Sequence, residues 1–386
     1  MLKEKLIRLT TIPISLEKLL EGQLTFMSKF YDVTAVSSEE KNLKEYGIKE
    51  GVRTFHIPLT RKITPVADIR AVIKFYRFLK KEKPLIVHTH TPKAGIVGMM
   101  AAALAKVPIR LHTVAGLPLM EAKGVKRKIL NYVEKRTYRY ATMVYPNSKG
   151  LKEIILKEKF CDANKLKVLG EGSSNGIDTS YFSRAHFSEE KVQKKREELN
   201  IHPSDLVYVF VGRLVKDKGL DELIAAFRLL QQDHNQCTLL LIGPYEEDLD
   251  PLSENTRREI DSNSKIITTG YQQDIRIYLA ISDILVFPSY REGFPNVVMQ
   301  AGAMDLPAIV SNINGCNEIV MDGRNGLLVP AKDTEKLYEK MDLLATDHDL
   351  REQLSSNARQ EIVRRYERKR MWEIILEEYR IQEANL

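Results

Sequence analysis

The sequence predicts an α/β protein of two doubly wound, Rossmann-like domains. Three observations carry this. Short, wholly apolar runs alternate with helical patterns, the signature of parallel strands covered on both faces. The alternation occurs twice along the chain. A turn-rich stretch, residues 172–187 (GSSNGIDTSYFSRAHF), separates the two series.

In the first series, strands are expected at residues 6–12, 32–37, 52–58, 85–91, 109–114, 142–147 and 166–172, with the clearest helices at 66–82, 94–106, 125–140 and 148–159. A charged helix, 188–199, opens the second series. Its strands are expected at 206–212, 237–243, 265–270, 284–289, 308–312 and 326–330, with helices near 219–232, 272–281, 296–304, 333–345 and 348–366. Domains are therefore expected at 1–175 and 176–366, followed by a C-terminal helix at 367–386. That helix carries the apolar set Met371, Ile374, Ile375 and Tyr379, and needs a surface to cover, such as the first domain.

The 386 residues suffice for two ordinary domains, and 43% hydrophobic with 29% charged residues excludes a disordered chain. No apolar run reaches the length of a bilayer span, and the N-terminus has no long apolar h-region. The cysteines, Cys161, Cys237 and Cys316, form no CxxC pair and suit a reducing compartment, so a cytoplasmic protein is expected. The net charge of +7 conceals a division. Residues 1–175 carry 33 Lys and Arg against 16 Asp and Glu, and the remainder 26 against 36. Such a basic first half could face nucleic acid, an anionic membrane or a phosphorylated acceptor.

Ligands of open parallel sheets bind beyond the carboxyl ends of the strands, so the residues following each strand hold the chemistry. After residues 206–211 comes GRLVKDKG, with Gly212, Arg213, Lys218 and Gly219. Glycine admits close backbone approach, and two cations five residues apart can neutralise a diphosphate. An ordinary solvated turn is the plainer alternative. After residues 284–289 comes YREGFPN, where Glu292 precedes a helix whose free N–H groups favour a phosphate or sugar oxygen. A carboxylate there can accept paired sugar hydroxyls, or merely cap the helix. His88 and His90 alternate at the end of a buried strand, followed by Lys93 and Gly95 at a helix start; a sugar- or acceptor-orienting role is expected rather than metal binding. The Asp-x-Asp of EEDLDP (246–251) reads as a solvated loop. Segment 119–140 carries seven cations and one acid between Lys123 and Arg139, beside Ile129, Tyr132, Val133 and Tyr140. It reads as an amphipathic helix that packs on its sheet and also meets an anionic leaflet, with the apolar loop Leu117-Pro118-Leu119-Met120 adding insertion.

Taken together, GRLVKDKG, SDILVFPSYREGFPNVVMQAGAM, NGID and NGLLVP resemble the family 4 retaining glycosyltransferases of GT-B fold, over nearly the whole chain. VHTHTPKAG and RLHTVAGLPLMEA resemble the subgroup that extends bacterial polyprenyl-diphosphate-linked oligosaccharides for capsule, O-antigen or protein glycosylation. The glycine-poor loop TTIPISLEKLLEGQL fits that subgroup too.

The resemblance implies two domains facing across a cleft, the first binding acceptor and the second a nucleotide diphosphate sugar. By it, Glu292 contacts the donor sugar. Arg213 and Lys218 hold the diphosphate, assisted by Gly212, Gly293 and the backbone across Phe294, Pro295, Asn296 and Val297. The family's second Glu of its Glu-x7-Glu motif, a ribose ligand, is here Gln300. An amide can still bond a diol, without the charge. Members often end the fifth strand Thr-x-His-Gly, with the His lining the site. Here the run is Thr113-Val114-Ala115-Gly116, and His112 is the nearby candidate. The resemblance further implies no metal or other cofactor and a uridine diphosphate donor, with an N-acetylhexosamine such as N-acetylgalactosamine foremost. It also implies a polyprenyl-diphosphate-linked acceptor and a peripheral position on the inner face of the cell membrane. A sugar-nucleotide epimerase of the same fold and a non-catalytic relative are the rivals. Nucleic-acid binding is not expected, because no aromatic stacking platform is evident.

Overall fold

The computed structural model describes residues 3–60, 64–117, 119, 122–246 and 250–386. The chain divides into two compact units, residues 1–176 with 368–386, and residues 177–367.

The first unit is built on β1 (Lys5–Leu9), β2 (Asp32–Ser37), β3 (Arg53–His56), β4 (Ile86–His90), β5 (Ile109–Val114) and β6 (Met143–Pro146). They form one parallel sheet in the order β3-β2-β1-β4-β5-β6, which reverses direction between β1 and β4. One face is covered by α4 (Pro65–Glu82), α5 (Pro92–Leu104), α6 (Gly124–Tyr140) and α7 (Lys149–Lys157). Ala94, Ala101 and Ala102 let α5 lie close on the strands, and α4 and α6 both pack against it. The opposite face is covered by α1 (Pro13–Leu20), α2 (Gln23–Met27), α3 (Glu40–Glu50) and a helix from the end of the chain.

The second unit opens with α8 (Glu189–Glu198) and is built on β7 (Leu206–Val211), β8 (Cys237–Ile242), β9 (Ile266–Thr268), β10 (Ile284–Phe287), β11 (Ala308–Ser311) and β12 (Gly326–Val329). Its sheet is again parallel, in the order β12-β11-β10-β7-β8-β9, with the reversal between β7 and β10. The helices are α9 (Leu220–Asp233), α10 (Glu254–Ser262), α11 (Arg276–Ala280), α12 (Asn296–Ala303), α13 (Cys316–Ile319), α14 (Thr334–Thr346) and α15 (His348–Tyr366). Side-chain caps fix several starts: Ser253 for α10, Asp333 for α14 and Asp347 for α15 each accept from an N3 backbone N–H.

The last helix, α16 (Arg368–Ala384), belongs to the first unit. Met371, Ile375, Leu376 and Tyr379 are buried against α1, α2 and the sheet. Trp372 packs against Phe26 with its ring tilted, and its Nε1–H donates to Asn175 Oδ1 at 2.6 Å.

Two expectations need correction. Residues 166–172 are not a strand: Leu166 makes a single parallel bridge to Val144, and the chain then turns through Gly170 and Gly172, both at positive φ. The helix expected at 272–281 is confined to Arg276–Ala280, because the Asp274 carboxylate takes the Arg276 backbone N–H and fixes a turn before it.

Candidate functional site

Both sheets have a reversal point, and the second unit's is the richer in chemistry. Beyond the ends of β7 and β10 lie the loops 212–219 and 288–295. Their backbones touch where only glycine allows it. Gly219 sits at φ 73, and a Cβ there would lie 2.1 Å from the Pro288 carbonyl oxygen. The loop after β11 is pinned similarly: Gly315, at φ 79, would place a Cβ 2.3 Å from Gly293 O.

This packing assembles the charged groups. Lys218 Nζ donates to Glu292 Oε1, which also accepts from Ser289 Oγ at 2.9 Å. Both partners of the pair are mostly buried, at 16% and 14% exposure. The Lys218 ammonium also lies 5.6 Å above the Phe287 ring. Asn314 Nδ2 donates to the Glu292 carbonyl at 2.5 Å, which fixes the backbone carrying the carboxylate. Arg213 is held differently: its Nη1–H donates to Glu246 Oε2 at 2.6 Å, and the pair is more than a third open to solvent. Burial works most strongly against the Arg213 charge, but Glu246, Asp217 and Glu292 together outweigh it and the guanidinium pKa lies above its ordinary value.

Helix α12 begins just beyond, with Pro295 as N-cap residue and no side-chain cap. Pro295 has no N–H, so the backbone donors of the expected set are those of Gly293, Phe294, Asn296 and Val297. The Phe294 ring packs edge-on to Tyr366 and anchors the turn. Gln300 is half-buried on α12, and its side-chain amide has no hydrogen-bond partner among the described residues. Gly212 follows β7 directly, and its N–H donates to Ile242 O. Cys316, the first residue of α13, is fully buried; burial, then the Glu292 charge, pushes its thiol well above the usual range.

Sequence reasoning missed Glu246 and Asn314 as neighbours of these groups, because each reaches the site from another loop, and it missed Ser289, three residues before Glu292, because the turn's folding back on itself has no mark in the sequence. Asp250 also differs from expectation. It is no free loop acid: its carboxylate accepts the Asp217 backbone N–H at 2.6 Å, and its carbonyl accepts that of Lys216. Asp248, the other acid of the Asp-x-Asp, lies outside the described residues. Among the described residues no three His, Cys, Asp or Glu side chains gather as a metal site.

In the first unit the sequence candidates separate. His88 and His90 do face one way, with ring centroids 4.4 Å apart, but both are 1% exposed and lie under α16. Direct acceptor contact by either ring is therefore corrected to a buried role: both are packed on the sheet face that α16 covers. His112 points to the other face. It is 2% exposed, its Nδ1 is 2.8 Å from Thr89 Oγ1, and Gly95 of α5 packs against its ring. Burial lowers its pKa to about 3, so it is a neutral core residue and not an acceptor-side one. Lys93 is engaged by the Asp68 carboxylate at 2.6 Å. Leu117 and Leu119 are buried, against the expectation of an inserting loop, while Pro118 and Met120 lie outside the described residues. On α6, Val125, Ile129 and Tyr132 are exposed beside cations, and so are Val66, Ile69 and Ile73 on α4. No helix among the described residues is long and apolar enough to cross a membrane.

Two six-stranded parallel sheets, each doubly wound about a reversal point, are the architecture of the GT-B fold. Comparisons with known proteins agree. Residues 191–361 match the family model for "Glycosyl transferases group 1" and residues 26–172 that for a "Glycosyl transferase 4-like domain". The chain is 34% identical to the capsular polysaccharide biosynthesis glycosyltransferase CapM of Staphylococcus aureus, over 97% of this chain and 96% of that protein. It is 31% identical to an Escherichia coli UDP-Gal:alpha-D-GlcNAc-diphosphoundecaprenol alpha-1,3-galactosyltransferase, over 86% and 84%. Among solved structures, Anabaena Alr3699/HepE in complex with UDP and glucose shares the fold, with a TM-score of 0.81, 19% identity and coverage of 97% and 99%. The chain belongs to the family 4 glycosyltransferases and is an enzyme of sugar transfer.

Proposed function

We propose that the protein transfers a hexose or N-acetylhexosamine from a uridine diphosphate donor to a polyprenyl-diphosphate-linked saccharide in bacterial polysaccharide synthesis. The observation that carries this is the Lys218–Glu292–Ser289 cluster beside Arg213, at the reversal point of the second unit's sheet. The E. coli relative supports the donor and acceptor classes, since its name specifies UDP-Gal and a diphosphoundecaprenol acceptor. N-acetylgalactosamine, the sugar implied by the sequence resemblance, has the same galacto configuration.

In this reading Arg213, Lys218 and the uncapped start of α12 receive the diphosphate, and Glu292 accepts hydroxyls of the donor sugar. The bond from the anomeric carbon to the β-phosphate oxygen breaks, and the charge left on the diphosphate is met by fixed cations. The acceptor hydroxyl attacks from the same face, forming the new glycosidic bond. Its proton passes to the departing phosphate oxygen, so configuration is retained and no divalent metal is required. Glu292 is held by Lys218 and Ser289 as a sugar ligand, and the arrangement provides no second carboxylate of the kind a glycosidase-like double displacement uses. The non-catalytic rival rests on Gln300 and Ala115 standing where the family has Glu and His, and the epimerase has no residue in its favour.

The basic first unit supports a place at an anionic membrane surface. Helices α4 and α6 flank α5, and both expose apolar side chains among cations: Ile69 and Ile73 beside Arg70 and Lys74, Ile129 and Tyr132 beside Lys128 and Lys135.

The test is synthesis with purified protein, a panel of uridine diphosphate sugars and an undecaprenyl-diphosphate-linked N-acetylhexosamine, in EDTA. The reading expects one donor to give product with an α-anomeric coupling from an α-linked donor. Product with inverted configuration, or product only when a divalent metal is added, would overturn the mechanism. Failure to form product with any such acceptor, alongside slow hydrolysis of one donor, would overturn the acceptor class.

A further inference from the structure

The first unit holds an unbalanced charge. Arg8 lies in β1 and is fully buried, and a guanidinium does not deprotonate in a protein. Its Nη1–H donates to Tyr379 Oη and its Nη2–H to His90 Nε2, each at 2.9 Å. No carboxylate pairs with it among the described residues. A buried charge without a counter-ion is costly, so the cluster calls for one.

The hydrogen bonds also have a direction. Because Arg8 only donates, His90 Nε2 accepts, and the ring proton of His90 must sit on Nδ1. Tyr379 Oη, having accepted from Arg8, donates to His88 Nδ1 at 2.6 Å, and His88 Nε2–H donates to Thr113 Oγ1 at 2.7 Å. Two donors are left over: His90 Nδ1–H and Arg8 Nε–H have no partner among the described residues. Both residues line a cavity of about 10 Å³ with Asn147, Ser173 and Ser174. Ser173 Oγ accepts from the Asn175 and Gly176 backbone N–H groups, and Ser174 Oγ accepts from Asn147 Nδ2. Each hydroxyl therefore has its own hydrogen free to turn inward.

A site of this size holds one water-sized occupant. The two orphaned buried nitrogens around it are donors, and Arg8 brings an unpaired positive charge to it. We propose that this cavity binds a single monatomic anion of the chloride class, as counter-ion to Arg8. A water could accept from the same donors but would leave the charge unbalanced. The ion would tie Ser173 and Ser174, just before the end of the first unit's main segment at Gly176, to β1 and β4. Ser173 stands at φ 72, a conformation that a non-glycine residue keeps only when its surroundings hold it.

The test uses the full chain. Crystals grown with bromide replacing chloride are measured at the bromine edge, with an anomalous peak expected within hydrogen-bond reach of His90 Nδ1. In parallel, thermal unfolding is followed in chloride, bromide and gluconate at one ionic strength. A saturable rise of about 2–4 °C is expected in the two halides alone. Arg8→Met should abolish the halide response; should it fail to fold, the wild-type experiments decide. A water refining in the cavity without anomalous signal, or equal melting in chloride and gluconate, would overturn the proposal.

Discussion

Glu246 occupies the guanidinium that a donor diphosphate would use. Its carboxylate must give way before Arg213 can bind phosphate, and the Arg213–Glu246 pair is open enough to be worth only about 0.2–1 kcal/mol. Glu246→Gln should therefore tighten uridine diphosphate binding by roughly 1.5- to 5-fold, read by titration calorimetry. Unchanged or weaker binding would mean that Arg213 does not serve the diphosphate. Gln300 lies where a carboxylate would give charge-assisted ribose contacts. Its neutral amide should contribute about 0.5–1.5 kcal/mol, so Gln300→Ala should weaken donor binding roughly 2- to 12-fold. Equal affinity would place the ribose elsewhere. At this scale the turns after β7 and β10 marked Arg213, Lys218 and Glu292 as candidates, and the structure joins Lys218 to Glu292. Glu246 was not legible as their neighbour, nor Tyr379 as a partner of His88: such contacts join chain segments 33 and 291 residues apart. For His112, three residues before Ala115, alternation along the strand already sets it on the opposite side, and the structure finds it buried there.

The elements show what periodicity can and cannot carry. All twelve strands fall within segments marked in the sequence, even β3 (RTFH), which is neither apolar nor buried, but residues 166–172 have the same look and pair at one position only. Helices α1, α2, α3, α10 and α13 were not marked, being short or highly charged; α3 (EKNLKEYGIKE) buries little beyond Leu43, Tyr46, Gly47 and Glu50. Helix α6 carries a testable oddity among its cations. Glu134 is 4% exposed, and burial raises its carboxyl pKa from 4.5 to about 7. The folded state thus holds its proton more tightly than the unfolded chain. This contribution favours folding below about pH 4.5 and is progressively lost as pH rises to about 7. Glu134→Gln should flatten the fall in stability between pH 5 and 8 and raise stability at pH 8 by about 2–4 kcal/mol, read from urea unfolding. An unchanged pH profile would show that the carboxyl ionises freely in the fold.

For the whole molecule, the charge division becomes spatial: the basic residues 1–175 fall within the unit that also contains α16. Sedimentation with anionic vesicles should exceed that with zwitterionic ones and fall with salt. Lys126→Glu with Lys128→Glu should reduce it by at least an order of magnitude, at about 1 kcal/mol per cation removed. Equal binding by the variant would move the contact to α4 or remove it. The central claim is a metal-free uridine diphosphate sugar site in the second unit. It is tested most directly by calorimetric binding of uridine and guanosine diphosphate sugars in EDTA to the wild type and to Lys218→Ala, a variant judged folded by its melting curve. The account predicts binding of a uridine donor by the wild type, weakened at least roughly tenfold by loss of one charge-assisted contact to the diphosphate. Equal affinity of the two proteins, or binding of the guanosine series alone, would contradict it.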